Sequence, residues 1–129
     1  MNRLTYHSNP DYMFLKGSTP LSMKPVVSLD LFNALDLRVG TILSISDYAD
    51  GMVQLELQFD GFTRRFSLAW ESLRPDVHEL LGKQAIAVLN IPGRIPEESG
   101  RLLEIGRAEQ WMPILAVPEH PIPEGARVE

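Results

Sequence analysis

Leu35-Asp36-Leu37-Arg38-Val39-Gly40-Thr41-Ile42-Leu43-Ser44-Ile45 is the stretch whose reading decides the fold. Leu37, Val39, Thr41, Leu43 and Ile45 alternate with Asp36, Arg38, Gly40, Ile42 and Ser44, the period of two that turns one face of a strand toward a core. Gly40 sits in the middle. A missing side chain weakens a flat strand but lets a strongly coiled one bend across two sheets, which is how small barrels close. The stretch reads as the first strand of a barrel.

Upstream, Ser28 is placed to cap a short helix, its hydroxyl accepting from the N–H of Asp30 or Leu31, with Asp30 at the positive helix end. Leu29, Phe32 and Leu35 then share a face that would plug the barrel or meet a partner chain. Residues 1–25 mix Asn, Pro, Ser, Gly and Thr without periodicity and read as an extended N-terminal arm. Residues 26–129 read as one domain.

Downstream, residues 47–51 are turn chemistry, and Val53, Leu55, Leu57 and Phe59 then alternate with Gln54, Glu56 and Gln58. Asp60-Gly61 predicts a two-residue type I′ hairpin, with positive φ at both positions. The chain returns with Phe62, Arg64, Phe66 and Leu68 on one face and Thr63, Arg65 and Ser67 on the other. Residues 75–82 predict a short helix stopped by Gly82. Residues 84–90 are too continuously apolar for a half-solvated strand and read as a buried one. Pro92, Gly93, Pro96 and Gly100 make residues 91–100 a loop; Leu102, Leu103 and Ile105 build a fifth strand, residues 112–117 a last one, and the proline-rich 118–125 an extended tail closed by Arg127 and Val128.

Three strands in a meander, a short helix and two more strands around a long loop is the order of the OB-fold. The expected class is thus all-β: a five-stranded Greek-key barrel with short helices and a C-terminal extension. Ligands of such barrels lie across the second and third strands, between the loops that here are 47–51 and 91–100.

At 129 residues, 44% hydrophobic, the chain can bury one core. There is no run of eighteen apolar residues and no apolar stretch at the N-terminus, so neither a membrane partner nor export is expected, and the location expected is cytoplasmic. The absence of cysteine excludes disulfides, thiolate nucleophiles, zinc fingers and Fe–S clusters. His7, His78 and His120 are too scattered to predict a metal site. No nucleophile-elbow, zincin, dinucleotide or P-loop motif occurs, so neither catalysis nor a cofactor is expected. Formal charge is -5, and outside residues 1–25 nine bases stand against sixteen acids. Any nucleic-acid site on such a body must be local, because phosphate affinity comes mainly from Lys and Arg.

The residues Phe32-Asn33-Ala34-Leu35-Asp36-Leu37-Arg38-Val39-Gly40-Thr41-Ile42 resemble the opening of the tRNA-binding domain found in CsaA-type secretion chaperones, in dimeric tRNA-binding proteins and appended to some aminoacyl-tRNA synthetases. Glu79-Leu80-Leu81-Gly82-Lys83-Gln84 is similar to the segment before that family's fourth strand. Ala87-Val88-Leu89-Asn90-Ile91-Pro92 with Arg94-Ile95 is similar to its Asn-hydrophobic-Pro-Pro-Arg-Arg-Ile loop, and residues 121–128 resemble its C-terminal segment. The resemblance implies an OB-fold that pairs with a second copy of itself and binds tRNA by shape, without chemistry. Two positions depart from the family: Gly51 replaces a lysine, and Glu97-Glu98 follow Pro96 where bases are usual, leaving Ser99 one position off the family serine.

Arg94 is the leading candidate for a phosphate contact, its alternative being a loop ion pair with Glu97 or Glu98. Arg65 is expected at the site and Arg64 to pair across strands with Glu56. Asn90 could meet a base edge or tie down its own loop. Lys83 and Arg101 could extend a positive rim, with Ser99 beside it, or be unspecific surface charge. Arg38 reads as an ion pair with Asp36. Phe62, Phe66 and Trp70 could stack on bases or fill the core, and Trp111 reads as core or dimer contact. The expected partner is tRNA, bound by a homodimer. The alternative is a CsaA-like export chaperone or protein-binding module, which takes unfolded or secretory polypeptides and has lost its RNA affinity.

Overall fold

The computed structural model describes residues 21–49, 51–70 and 74–129. Most of the expected arm, residues 1–20, lies outside the described residues.

Helix α1 spans Leu29–Asn33, and Ser28 caps it as the sequence predicts, its hydroxyl accepting from the N–H of Asp30 at 3.1 Å. It does not plug the barrel. None of its residues is buried, and Leu29 is 70% and Leu31 59% exposed. The interior has no room for it, because Phe59, Phe66 and Trp70 already fill it.

Strand β1, Leu37–Asp47, pairs with β4 (Gln84–Pro92) through its first half and with β2 (Val53–Gln58) through its second. Leu37 and Val39 are buried, but they lie outside the main core cluster; the core face in the first half of the strand is the other one, that of Gly40, whose register partner is core Ala85, and of Ile42. The β1–β2 register shifts between Ile42 and Ser44, so Leu43 is the extra residue of a bulge; it is left 47% exposed, and the change of phase keeps both Ile42 and Ile45 on the core side. Gly40 has a reason beyond bending: a Cβ there would lie 2.7 Å from the ring of buried Phe59.

β2 and β3 (Thr63–Leu68) form the predicted hairpin, with Glu56 opposite Arg65 and Leu57 opposite Arg64. The turn differs from expectation. Gly61 has φ 86°, while Asp60 is not in the left-handed region, which excludes type I′. The predicted helix over 75–82 contracts to a 3-10 turn, Val77–Leu80, with Gly82 at φ 83° just beyond it.

β4 runs to Pro92 and β5 spans Ser99–Leu102, so the expected loop 91–100 shrinks to residues 93–98. The short strands β6 (Glu104–Ile105) and β7 (Ile114–Leu115) make a separate pair. β7 is shorter than the expected 112–117 because Pro113 and Pro118 flank it and have no N–H to give a ladder. β8, Arg127–Val128, adds to the start of β1.

The sheet order is β3-β2-β1-β4-β5, antiparallel throughout, which is the expected OB-type meander with its C-terminal extension. β3 and β5 stand at the two ends of this path without ladder bonds, and side chains bridge the seam between them. Among the described residues no helix is long and apolar enough to cross a membrane.

Candidate nucleic-acid interface

The face of β2 and β3 lies between the β1–β2 turn and the 93–98 loop, where a groove of about 560 Å³ is lined by Tyr48, Glu56, Arg64, Arg65, Glu97 and Ser99, among others. It is the place the fold predicts for a ligand. Its charge is mixed, two guanidinium groups against several carboxylates.

Arg64 is drawn to the seam. Its Nη1 lies 3.3 Å from the carbonyls of Leu89 and Ser99 and 3.3 Å from Ser99 Oγ, with the guanidinium 5.7 Å from the Phe62 ring centre. The expected pair with Glu56 is not formed. Glu56 faces Arg65 instead, at 3.9 Å, because the two-residue turn that brings Phe59 to Phe62 sets residue 56 opposite 65. Arg65 stays 66% exposed, so that contact leaves its guanidinium largely in solvent. Arg101, also exposed, donates to the carbonyls of Pro92 and Gly93 at 3.2 and 3.3 Å. Pro92 pairs with Ser99 across β4 and β5. Arg64 and Arg101 are thus both held by carbonyls around Ser99.

The other candidates lie elsewhere. Arg94 pairs with neither Glu97 nor Glu98; its Nη2 lies 3.1 Å from Oε2 of Glu104, a largely buried carboxylate that also accepts from Trp70 Nε1 at 2.9 Å and meets Arg107 at 3.2 Å. Asn90 is occupied at both ends: Oδ1 accepts from the N–H of Asp36 at 2.7 Å, and Nδ2 donates to the carbonyl of Ala34 at 2.7 Å. It ties α1 to β1 rather than securing its own loop. Lys83 is exposed beside Gln84 and the 117–121 segment, on a different cavity. Phe66 and Trp70 are buried at 1% exposure, while half-buried Phe62 stacks on Phe59 with ring centres 5.3 Å apart.

Arg38 and Asp36 form the expected ion pair at 2.8 Å, with Arg127 3.9 Å from the same carboxylate. Hydrogen bonding from Arg38 holds the Asp36 carboxyl below its ordinary value; partial burial opposes this, and the charges of Arg38, Arg127 and Arg64 assist it. Arg74, buried and placed over the ring of Trp70, pairs with Asp76 at 2.8 Å. Of the eight described arginines, six therefore pair with a carboxylate within 4 Å; Arg64 and Arg101 do not, and their hydrogen bonds go to carbonyls and a hydroxyl, although the charge of Arg64 still reaches Asp36.

The sequence reading gave Arg64 and Glu98 other partners and did not single out Glu104. Arg64 could have been found by counting pairs outward from the Asp60-Gly61 turn. Glu98 had no local signal, since Ser67 lies 31 residues away; Glu104 stands three residues before Arg107, but its bond to Trp70 spans 34 residues. Among the described residues no group of three or more His, Asp or Glu side chains is placed to hold a metal ion.

No family model matches the sequence. A CsaA chaperone from Bacillus anthracis superposes with TM-score 0.68 and 23% identity over 81% of this chain and 100% of that one. The fold is the CsaA fold. A second CsaA, from Picrophilus torridus, gives TM-score 0.66 and 23% identity over 81% and 100%. A MetRS-related protein from Pyrococcus horikoshii gives 0.70 and 24% over 82% and 100%. Among curated proteins the methionine–tRNA ligase of Methanothrix thermoacetophila is 30% identical over 106 residues; these are 81% of this chain but only 16% of that protein. The likeness read from residues 32–42 to CsaA and the tRNA-binding domain is thus met again, in the fold and in a synthetase segment. Within the CsaA fold, the groove on β2 and β3 lies beside the seam that Arg64 and Ser99 bridge.

Proposed function

We propose that this chain is a non-catalytic RNA-binding module of the tRNA-binding-domain type, with residues 26–129 as the binding domain, working as a homodimer in the cytoplasm. The tRNA backbone is gripped at Arg64, Arg101 and Ser99, with Arg65 alongside. The observation that carries this reading is the placement of Arg64 and Arg101 around Ser99, on carbonyls and a hydroxyl and not on carboxylates. Carbonyls orient a guanidinium without cancelling its charge, so it remains available to a phosphate. Aiding the reading are the resemblance in residues 32–42 and the likeness to a segment of a methionine–tRNA ligase. The exposed side chains of Leu29, Leu31 and Phe32 suit burial against a second copy. The test is filter binding of tRNA by the wild type and by Arg64→Ala with Arg101→Ala. Binding should weaken on all tRNAs alike, as expected for backbone contacts.

A second reading, a CsaA-like protein-binding module, is favoured by one observation: most described arginines already face acids, and the groove itself holds Glu56, Glu97 and Glu98. Suppression of the aggregation of an unfolded test protein at equimolar ratio, without tRNA binding, would select this reading.

A further inference from the structure

Glu98 leaves its loop and lies on the sheet. Its Oε1 accepts from the backbone N–H of Ser67 at 2.8 Å, and its Oε2 accepts from Ser67 Oγ at 2.6 Å and from Gln54 Nε2 at 2.9 Å. Three donors from β2 and β3 thus converge on one carboxylate. The Ser67 N–H points away from the β2 ladder into the open seam, and Ser67 is 3% exposed, so the donor would be costly to leave without a partner. A backbone N–H, a hydroxyl and an amide aimed at one point make a general oxyanion site, which serves a phosphate as well as a carboxylate. Gln54 and Glu98 also line the groove that holds Arg64, Arg65 and Ser99.

The loop is built to deliver this group. Gly93 lies so close beneath it that a Cβ would come 2.5 Å from the Glu98 carbonyl oxygen, and the Glu98 N–H closes a turn onto the Ile95 carbonyl at 3.1 Å.

We propose that Gln54 and Ser67 form a binding site for a backbone phosphate of RNA, and that Glu98 occupies it in cis as a built-in competitor. The proposal rests on the RNA reading above. It makes Glu98 a residue that holds affinity down: phosphate reaches the sheet only when the loop releases its carboxylate, and a second contact then joins those at Arg64 and Arg101.

Amide NMR spectra of the full chain titrated with inorganic phosphate, together with tRNA filter binding, test this in the wild type, Glu98→Ala and Glu98→Ala with Ser67→Ala. In Glu98→Ala the Ser67 amide should shift on adding phosphate, as it should not in the wild type, and tRNA should bind roughly tenfold tighter. Adding Ser67→Ala should remove that gain. The spectra also report whether the fold survives. Should Glu98→Ala lose it, Glu98→Ser, which empties the cradle while keeping a polar side chain in the loop, carries the test with the same direction expected. A Ser67 amide indifferent to phosphate in the folded Glu98 variant, or tRNA affinity unchanged by it, overturns the proposal and leaves the RNA reading standing. A phosphate response with no tRNA binding by any variant overturns the RNA reading, and with it the choice of RNA phosphate as the ligand.

Discussion

Arg94 and Glu104 are joined at 3.1 Å across the 93–98 loop and β6, and the carboxylate they share with Trp70 and Arg107 is only 8% exposed. This explains why the arginine that looks most available in the sequence is already engaged by a carboxylate. Leaving Glu104 would abandon a largely buried charge, which costs more than an exposed contact to phosphate returns.

Arg94→Ala should therefore lower stability by about 1–2 kcal/mol, as expected for a lost charge-assisted hydrogen bond, and leave tRNA affinity within about twofold. Glu104→Ala, which strands two guanidiniums and an indole N–H, should cost more, about 3–5 kcal/mol. Urea unfolding followed by tryptophan fluorescence measures both. A tenfold loss of tRNA binding in Arg94→Ala, with stability unchanged, would return Arg94 to the binding site.

Asn90→Ala should destabilise by about 1–3 kcal/mol, because the Asp36 N–H and the Ala34 carbonyl both lose their partner. Asn90→Asp keeps the acceptor but sets a carboxylate against the Ala34 carbonyl, and should be no better than alanine. If Asn90 instead reads a base, its loss should show in tRNA affinity with unfolding unaltered.

Gly40→Ala places a methyl group 2.7 Å from one Phe59 ring carbon and 2.8 Å from the next, in a fully buried ring. The expected cost is about 1–3 kcal/mol of overpacking, partly recovered by Phe59→Leu. Denaturant midpoints of the single and double variants report the coupling; strictly additive effects would mean that the two positions do not meet.

The Asp36 carboxyl is held below its ordinary value of 3.8, first by the Arg38 hydrogen bonds at 2.8 and 3.2 Å. A carboxyl depressed in the folded state binds its proton less readily there than in the unfolded chain. Its contribution is therefore full above about pH 4–5 and is lost as pH falls through the folded value. The stability gap between wild type and Asp36→Asn should be constant from pH 7 to 5 and shrink below about pH 4. A gap independent of pH would show that the pair contributes nothing through ionisation.

Much of the barrel was legible in the sequence because its signals are local. Alternation gave β2 and β3, Ser28 with Asp30 gave α1, and the unbroken apolar run gave β4. What failed did so for physical reasons. Where both faces carry apolar residues, period-two alternation cannot tell which is the core face or where a bulge will change the phase, so Gly40 and Ile42 turned inward and Leu43 was left outside. Prolines shortened β7, while β4 and β5 extended into a stretch that its Gly and Pro content marks as loop. The site was legible only as a region. Arg65 and Ser99 line the groove, while Arg101 lies outside it on β5; the partners that engage Arg94, occupy Asn90 and lay Glu98 on Ser67 are set by contacts between distant segments.

The central claim is that RNA phosphate is held by Arg64 and Arg101, the two described arginines that form no ion pair. Its most direct test is the salt dependence of tRNA affinity in the wild type against Arg64→Ala with Arg101→Ala. The account predicts a steep linear fall of log K with log salt in the wild type, and a slope shallower by about one unit for each arginine removed. Identical slopes and affinities in the two proteins, or no tRNA binding at low salt, would contradict it.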